Sequence, residues 1–210
     1  MLASSHAPSV LSQFGFGAMD AGQAVPAAAR DTVASDRGEV RIVTLIVEGV
    51  VARRRGGDGV ALGLAGPGEM IGFEPACPAP EAGLWLSAGR KIEIPRHRLI
   101  DALGPVAVAA LAVEDLRSKV RSAHEEIVRH ARLRVAERLA GLLWDIHDRS
   151  GETVIALRQS DLAELLAVRR AGVSGACSEL RAAGAARVRR GAVELLDLQA
   201  LGRAARLTPP

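Results

Sequence analysis

The sequence predicts an α+β protein in three parts: an N-terminal antiparallel β-roll, one long helix suited to pairing with a second copy, and a C-terminal winged helix-turn-helix. Three observations carry this expectation. Short β-rich runs separated by glycine turns fill residues 39–103. Apolar residues spaced by three and four run from Val106 to Ile127. Residues 157–197 hold two short amphipathic stretches, a glycine stop and an arginine-studded hairpin. At 210 residues the chain is long enough for two modest cores.

Residues 1–38 are rich in Ala, Gly, Ser and Pro and sustain neither period 2 nor period 3.6, so they are expected to form a disordered N-terminal arm. Order is expected from Glu39, where RIVTLIVEGVVARRR is a β-rich run broken at Glu48-Gly49. It is followed by the glycine turn Gly56-Gly57-Asp58-Gly59 and by VALGL. The glycine spacing of Gly66 to Gly72 is wrong for a phosphate-binding loop and no helix is signalled after it, so Pro67-Gly68 is read as a turn. Leu84–Leu86 and Lys91–Ile94 read as two more strands, completing a β-roll over 39–103.

From Pro105 the pattern becomes helical. Val106, Ala109, Val113, Leu116, Val120, Ala123 and Ile127 form an a/d seam, and such a seam calls for a second helix. Residues 104–130 are therefore read as a dimerisation helix, with the same seam packed on the chain's own β-roll as the competing reading. Glu114, Asp115, Arg117, Lys119, Arg121, Glu125 and Glu126 occupy the other face and are expected to stay solvated. A further helix near 131–148 should roof a C-terminal domain over 131–210.

In that domain Leu162, Leu165 and Leu166 form one buried stripe, and Val173, Cys177 and Leu180 a second. Only Ala167-Val168 separates them, which fits a sharp bend. After Gly184, suited to a helix stop, residues 186–196 alternate about Arg190-Gly191 as a hairpin. The second helix of such a unit can enter the major groove while its N-terminus and the wing meet phosphate. The candidate DNA contacts are Arg169, Arg170 and Ser174 on that helix and Arg187, Arg189 and Arg190 on the wing. Charge placement agrees: residues 129–210 hold 14 Arg against 9 acidic residues, while residues 1–128 hold 13 basic against 15 acidic.

Other chemistries find little support. Two cysteines, Cys77 and Cys177, cannot supply a four-ligand metal site, and they suggest a reduced, cytoplasmic protein. His124 and His130 are six residues apart, about 240° around a helix, so no metal pair forms. No nucleophile and base can be associated, and neither enzymatic activity nor a cofactor is expected. No apolar run reaches membrane-spanning length, and the start lacks a secretory signal.

The order of parts, with Val47-Glu48-Gly49, GPGEMIG from Gly66 to Gly72, IPRHRLIDAL from Ile94 to Leu103, QSDLAELLAVRRAGVS and VRRGAVELLD, resembles the Crp/Fnr family of bacterial transcription regulators over residues 39–200. The resemblance implies a cyclic-nucleotide-binding-like β-roll and a homodimer on a pseudo-palindromic double-stranded DNA operator, with RNA polymerase as a further partner. This chain also departs from the family. Phe73 stands where cyclic-nucleotide binders have Glu, and Ala82-Gly83 lies near their Arg-Ser, which argues against cyclic AMP. The first 76 residues hold no cysteine for an iron–sulfur cluster. In the DNA half, Arg158 replaces a capping Thr, Ala167 a turn Gly, Gly172 a Ser or Thr, and Gly175 a frequent Arg. Ala171 stands where readers of TGTGA-type half-sites have Glu. A second reading stays open: a paralogue that does not bind DNA and acts through protein contacts or mixed dimers.

Overall fold

The computed structural model describes residues 23–37, 40–55, 61–73 and 81–206. Among these residues nine strands precede the first helix: β1 (Val25–Ala27), β2 (Thr32–Ala34), β3 (Asp36–Arg37), β4 (Val40–Glu48), β5 (Val51–Arg55), β6 (Ala61–Ala65), β7 (Met70–Ile71), β8 (Glu81–Trp85) and β9 (Gly89–Pro95). They form two antiparallel sheets, one ordered β1-β9-β4-β3 with β7 also on β4, the other β2-β8-β5-β6. Ile46, Val51, Ile71 and Trp85, all fully buried, lie in the apolar core of this roll.

The arm expected over 1–38 is corrected in part. Residues 25–37 carry three strands, with Val25 opposite Lys91 and Val33 opposite Gly83. The partners of β1 and β2 lie some fifty or more residues away, while β3 pairs with the adjacent β4, Asp36 opposite Arg41, and strands of two or three residues are too short to establish a local period. Residues 1–22, Cys77 and the Gly56–Gly59 turn lie outside the described residues. The break at Glu48-Gly49 and the turn at Pro67-Gly68 are where the sequence places them.

After α1 (Arg96–Leu103) and Gly104 comes the long helix α2 (Pro105–Arg132), with Pro105 at its first position. Val108 and Leu111 pack on the β-roll with Val43, Ile92 and Ile94. The a/d seam does not: Val106, Val113, Leu116, Val120 and Ile127 are exposed, Ala109 is exposed and Ala123 half-buried. One expectation for the opposite face is corrected. Asp115 and Lys119 are not solvated, because the β-roll presents Arg53 and Glu81 to them and the four close into a buried charged cluster.

Leu133 leaves helical geometry, and α3 (Val135–Ser150) starts later than the expected 131. Then follow β10 (Val154–Ile155), α4 (Gln159–Leu165), α5 (Arg170–Ala182), the hairpin β11 (Ala186–Arg189) and β12 (Ala192–Leu195), and α6 (Leu198–Ala204). β10 and α6 were not expected. β10 makes the wing a three-stranded sheet, β10-β12-β11. The core of this half also takes in Val50, Ala52, Leu84 and Leu86, so one apolar cluster crosses from the β-roll into the helix-turn-helix.

Candidate nucleic-acid interface

The helix-turn-helix is built on three apolar stripes. Leu139, Leu143 and Ile146 of α3 meet Leu162 and Leu165 of α4, with Leu166 just beyond it, and Val173, Ala176, Cys177 and Leu180 of α5, all buried. Burial raises the Cys177 thiol above its ordinary value, which suits a packing role. α4 begins without a capping side chain from Arg158. Asp161 replaces part of that function by accepting the Arg158 N–H at 2.9 Å. Between the helices Ala167 takes φ +51°, a left-handed conformation that costs a residue with a Cβ about 1–2 kcal/mol. Arg138 of α3 donates to the Leu166 carbonyl, satisfying an acceptor at the end of α4, and also meets the His130 ring.

α5 turns its other side to solvent. Arg170, Ala171, Ser174, Gly175 and Ser178 are exposed. The Ser178 hydroxyl donates back to the Ser174 carbonyl at 3.1 Å. A Cβ on Gly175 would meet nothing within 4 Å, and one on Gly172 only Val168 at 3.9 Å, so neither glycine is required by packing. The outer face is thus low and smooth, with Arg169 and Arg170 at its N-terminal end. Neither guanidinium has an ion-pair partner among the described residues, and the helix N-terminus adds its own positive dipole end.

The wing follows directly, and β11 packs on α5. Gly184 and Gly191 take positive φ, +68° and +78°, where the chain leaves the helix and reverses in the hairpin. The two-residue turn Arg190-Gly191 fixes the register, Arg187 opposite Glu194 and Arg189 opposite Ala192. Ala186, Val193 and Leu195 are buried on the inner face, leaving Arg187, Arg189 and Glu194 together on the outer one. Arg187 reaches Glu194 Oε2 through Nε at 3.0 Å and through its terminal nitrogen at 2.6 Å, and Arg189 Nε reaches the same oxygen at 2.5 Å. The arginine hydrogen bonds hold the Glu194 carboxyl below the ordinary glutamate value. Arg190, at the turn, has no such partner among the described residues.

All six sequence-predicted DNA contacts are exposed, on the start of α5 and on the wing. Glu194 was not singled out from the sequence, although the turn at Arg190-Gly191 already implies that 187 and 194 face one another. A second missed feature ties α4 to the β-roll: Arg30 pairs with Asp161 at 3.1 Å and Arg54 with Glu164 at 3.5 Å.

In the β-roll, Phe73 is buried, and the backbone N–H of Gly72 donates to Glu81 Oε2 at 2.8 Å. The same carboxylate takes Arg53 at 3.1 Å and Lys119 at 2.8 Å, while Lys119 also meets Asp115 at 2.6 Å. Burial alone would lower the Arg53 pKa. Glu81, Glu69 and Asp115 outweigh it and hold the guanidinium above its ordinary value. A cavity of about 230 Å³ adjoins this cluster and is lined in part by Leu116, Val120 and Ala123 of the seam. No group of three or more metal-ligating side chains occurs among the described residues, and no helix among them is long and apolar enough to cross a membrane.

Residues 137–204 match the Crp-like helix-turn-helix domain. The fold of nearly the whole chain is that of solved Crp/Fnr-family structures. FixK2 of Bradyrhizobium japonicum is 21% identical with a TM-score of 0.63, over 87% of this chain and 96% of that one. TTHB099, a CRP-family transcriptional regulator of Thermus thermophilus, is 21% identical with a TM-score of 0.66 over the same shares. The c-di-GMP-responsive regulator CLP of Xanthomonas campestris is 18% identical with a TM-score of 0.61, over 90% of this chain and 98% of that one. A comparison with curated proteins finds no match by sequence.

Proposed function

Because the chain carries a Crp-like helix-turn-helix domain within the fold of Crp/Fnr regulators, we propose that it is a dimeric, sequence-specific DNA-binding regulator of transcription that does not respond to cyclic AMP. The observation that carries the reading is the placement of Arg169, Arg170 and Arg190. These are guanidiniums without ion-pair partners among the described residues, at the start of an exposed helix and at the tip of its wing. Arg169 or Arg170 reaches a base edge, most favourably guanine, whose two major-groove acceptors one guanidinium satisfies. Ser174 and the wing arginines meet phosphate.

Dimerisation rests on the exposed seam. Seven apolar or small residues at heptad spacing along α2 pair with their own copy, and a two-fold axis there presents two recognition helices about 34–36 Å apart to successive grooves. Insensitivity to cyclic AMP rests on Glu81. A ligand phosphate approaching the Gly72 N–H would meet a carboxylate already held there by Arg53 and Lys119.

The test is selection of bound fragments from sheared genomic DNA by the purified protein. Enrichment of a two-fold symmetric sequence supports the reading, and no binding at low salt overturns it. Sedimentation of Val113→Glu/Leu116→Glu is expected to show monomer, because four like charges would enter one dry seam. Millimolar cyclic AMP is expected to leave the melting temperature unchanged. The bare outer face of α5, with Ala171, Gly172 and Gly175, favours the second reading, a paralogue acting through protein contacts. Failure of the DNA selection with a dimer still present would support it.

A further inference from the structure

The wing carries three arginines, yet two of them converge on one carboxylate oxygen. Arg187 faces Glu194 directly across the hairpin and Arg189 sits on the neighbouring diagonal, so the sheet itself sets all three side chains on one face. We propose that Glu194 is an internal counter-anion of the DNA interface, competing with phosphate for Arg187 and Arg189 and thereby suppressing sequence-independent binding. The inference rests on the DNA-binding reading above and assigns that site a negative element.

Exposed ion pairs are weak and screened, so a duplex can draw both arginines away from Glu194. Two consequences follow. The displaced carboxylate is left beside the phosphates that took its partners, which is repulsive. Arginines already neutralised inside the protein also gain less from phosphate than free ones, and the entropy of counterion release is correspondingly smaller. Both effects act on backbone contacts alone. Base contacts from Arg169 and Arg170 are untouched, so Glu194 lowers affinity for any duplex while leaving the preference supplied by α5. Specificity, a difference of affinities, is left as α5 sets it; what falls is the occupancy of wrong sites, whose complexes have backbone contacts alone to hold them.

The experiment measures affinity for the selected operator and for a scrambled duplex across a salt series, with the full-length chain and Glu194→Gln. Glutamine keeps the shape and removes the charge. The variant is expected to bind scrambled duplex about three- to tenfold more tightly at low salt, with a slope of log affinity against log salt steeper by about one per protomer. Glu48→Gln serves as the control: it removes the same charge from the end of β4, where Glu48 faces Arg90 at 3.6 Å, and is expected to leave the slope unchanged. Glu194→Thr, suited to a strand, repeats the test should the glutamine variant fold poorly. Wild-type affinity and slope in both Glu194 variants would overturn the inference and leave DNA binding intact. Equal gains in Glu194→Gln and Glu48→Gln would overturn it in favour of net charge. Absence of DNA binding by the wild type would overturn both readings together.

Discussion

Arg53 and Arg170 are the same residue type in opposite situations. Arg53 is 4% exposed and contacts Glu81, Glu69, Asp115 and the Met70 carbonyl. Arg170 is exposed, with no ion-pair partner among the described residues. The first holds the β-roll against α2, whereas the second makes no ion pair that would tie α5 to the rest of the described chain. Composition cannot separate them, because arginine is the main cation throughout the chain. What separates them is the presence or absence of an internal anion, and that is a property of placement.

The largest test of this contrast is Arg53→Ala. Removing one partner from a buried charged cluster leaves Glu81 and Asp115 undercompensated, and denaturant titration is expected to show a loss of about 3–5 kcal/mol. A loss below about 1 kcal/mol would mean that the cluster is wet enough to do without Arg53. Arg170→Ala is expected to change stability by less than about 0.5 kcal/mol while weakening operator binding by about 1–3 kcal/mol. If Arg170→Ala unfolds the protein, or weakens operator and scrambled duplex alike, the contrast fails at its exposed end.

Glu137 lies between these extremes. It is buried, its carboxylate accepts the Arg134 N–H at 2.8 Å at the start of α3, and Arg206 Nε lies at 2.7 Å. The backbone hydrogen bond from Arg134, then Arg206, hold the carboxyl below the ordinary glutamate range, although burial pulls the other way. A folded-state value below the unfolded one means that the unfolded chain binds the proton more readily. The stabilisation is therefore full above the unfolded value and is lost as pH falls through the folded one. Glu137→Gln should cost about 1 kcal/mol at neutral pH. The gap between variant and wild type should close under acid, and a gap independent of pH would show that charge plays no part. The smallest effect runs the other way: Gly175→Ala is expected to stabilise the protein by up to about 1 kcal/mol in the same titration, since space at that Cβ is open. A loss of stability would mean that α5 is strained there.

The helix-turn-helix was legible because its information is local. Leu162, Leu165, Val173, Cys177 and Leu180 mark their helices by spacing, and Gly184 and Arg190-Gly191 mark the ends. The β-roll was legible at β4 and β5, which are long enough to show a pattern. It was not legible at β3, whose two residues are too few to show a period, nor at β1 and β2, where three residues each take their structure from partners far along the chain. Asp115 and Lys119 were misassigned to solvent for the same reason, since their burial depends on Arg53 and Glu81 arriving from the β-roll. At the candidate interface, the sequence placed the six residues on the helix start and the wing, where they are exposed, but not their pairing state. Glu194 required the hairpin register to be carried through to its cross-strand neighbours.

The apolar cluster that joins Val50, Ala52, Leu84 and Leu86 to Leu139, Leu162 and Val173 has a consequence for how the molecule comes apart. A cut between α2 and α3 would look harmless on a diagram of domains, yet it would strip the cover from both sides of that cluster and release the Arg30–Asp161 and Arg54–Glu164 pairs with it. The severed pieces would each present a greasy face to water and tend to cling to one another. Melting of the intact chain is accordingly expected to follow one shared transition, in which the sheet and the helices beside it give way together.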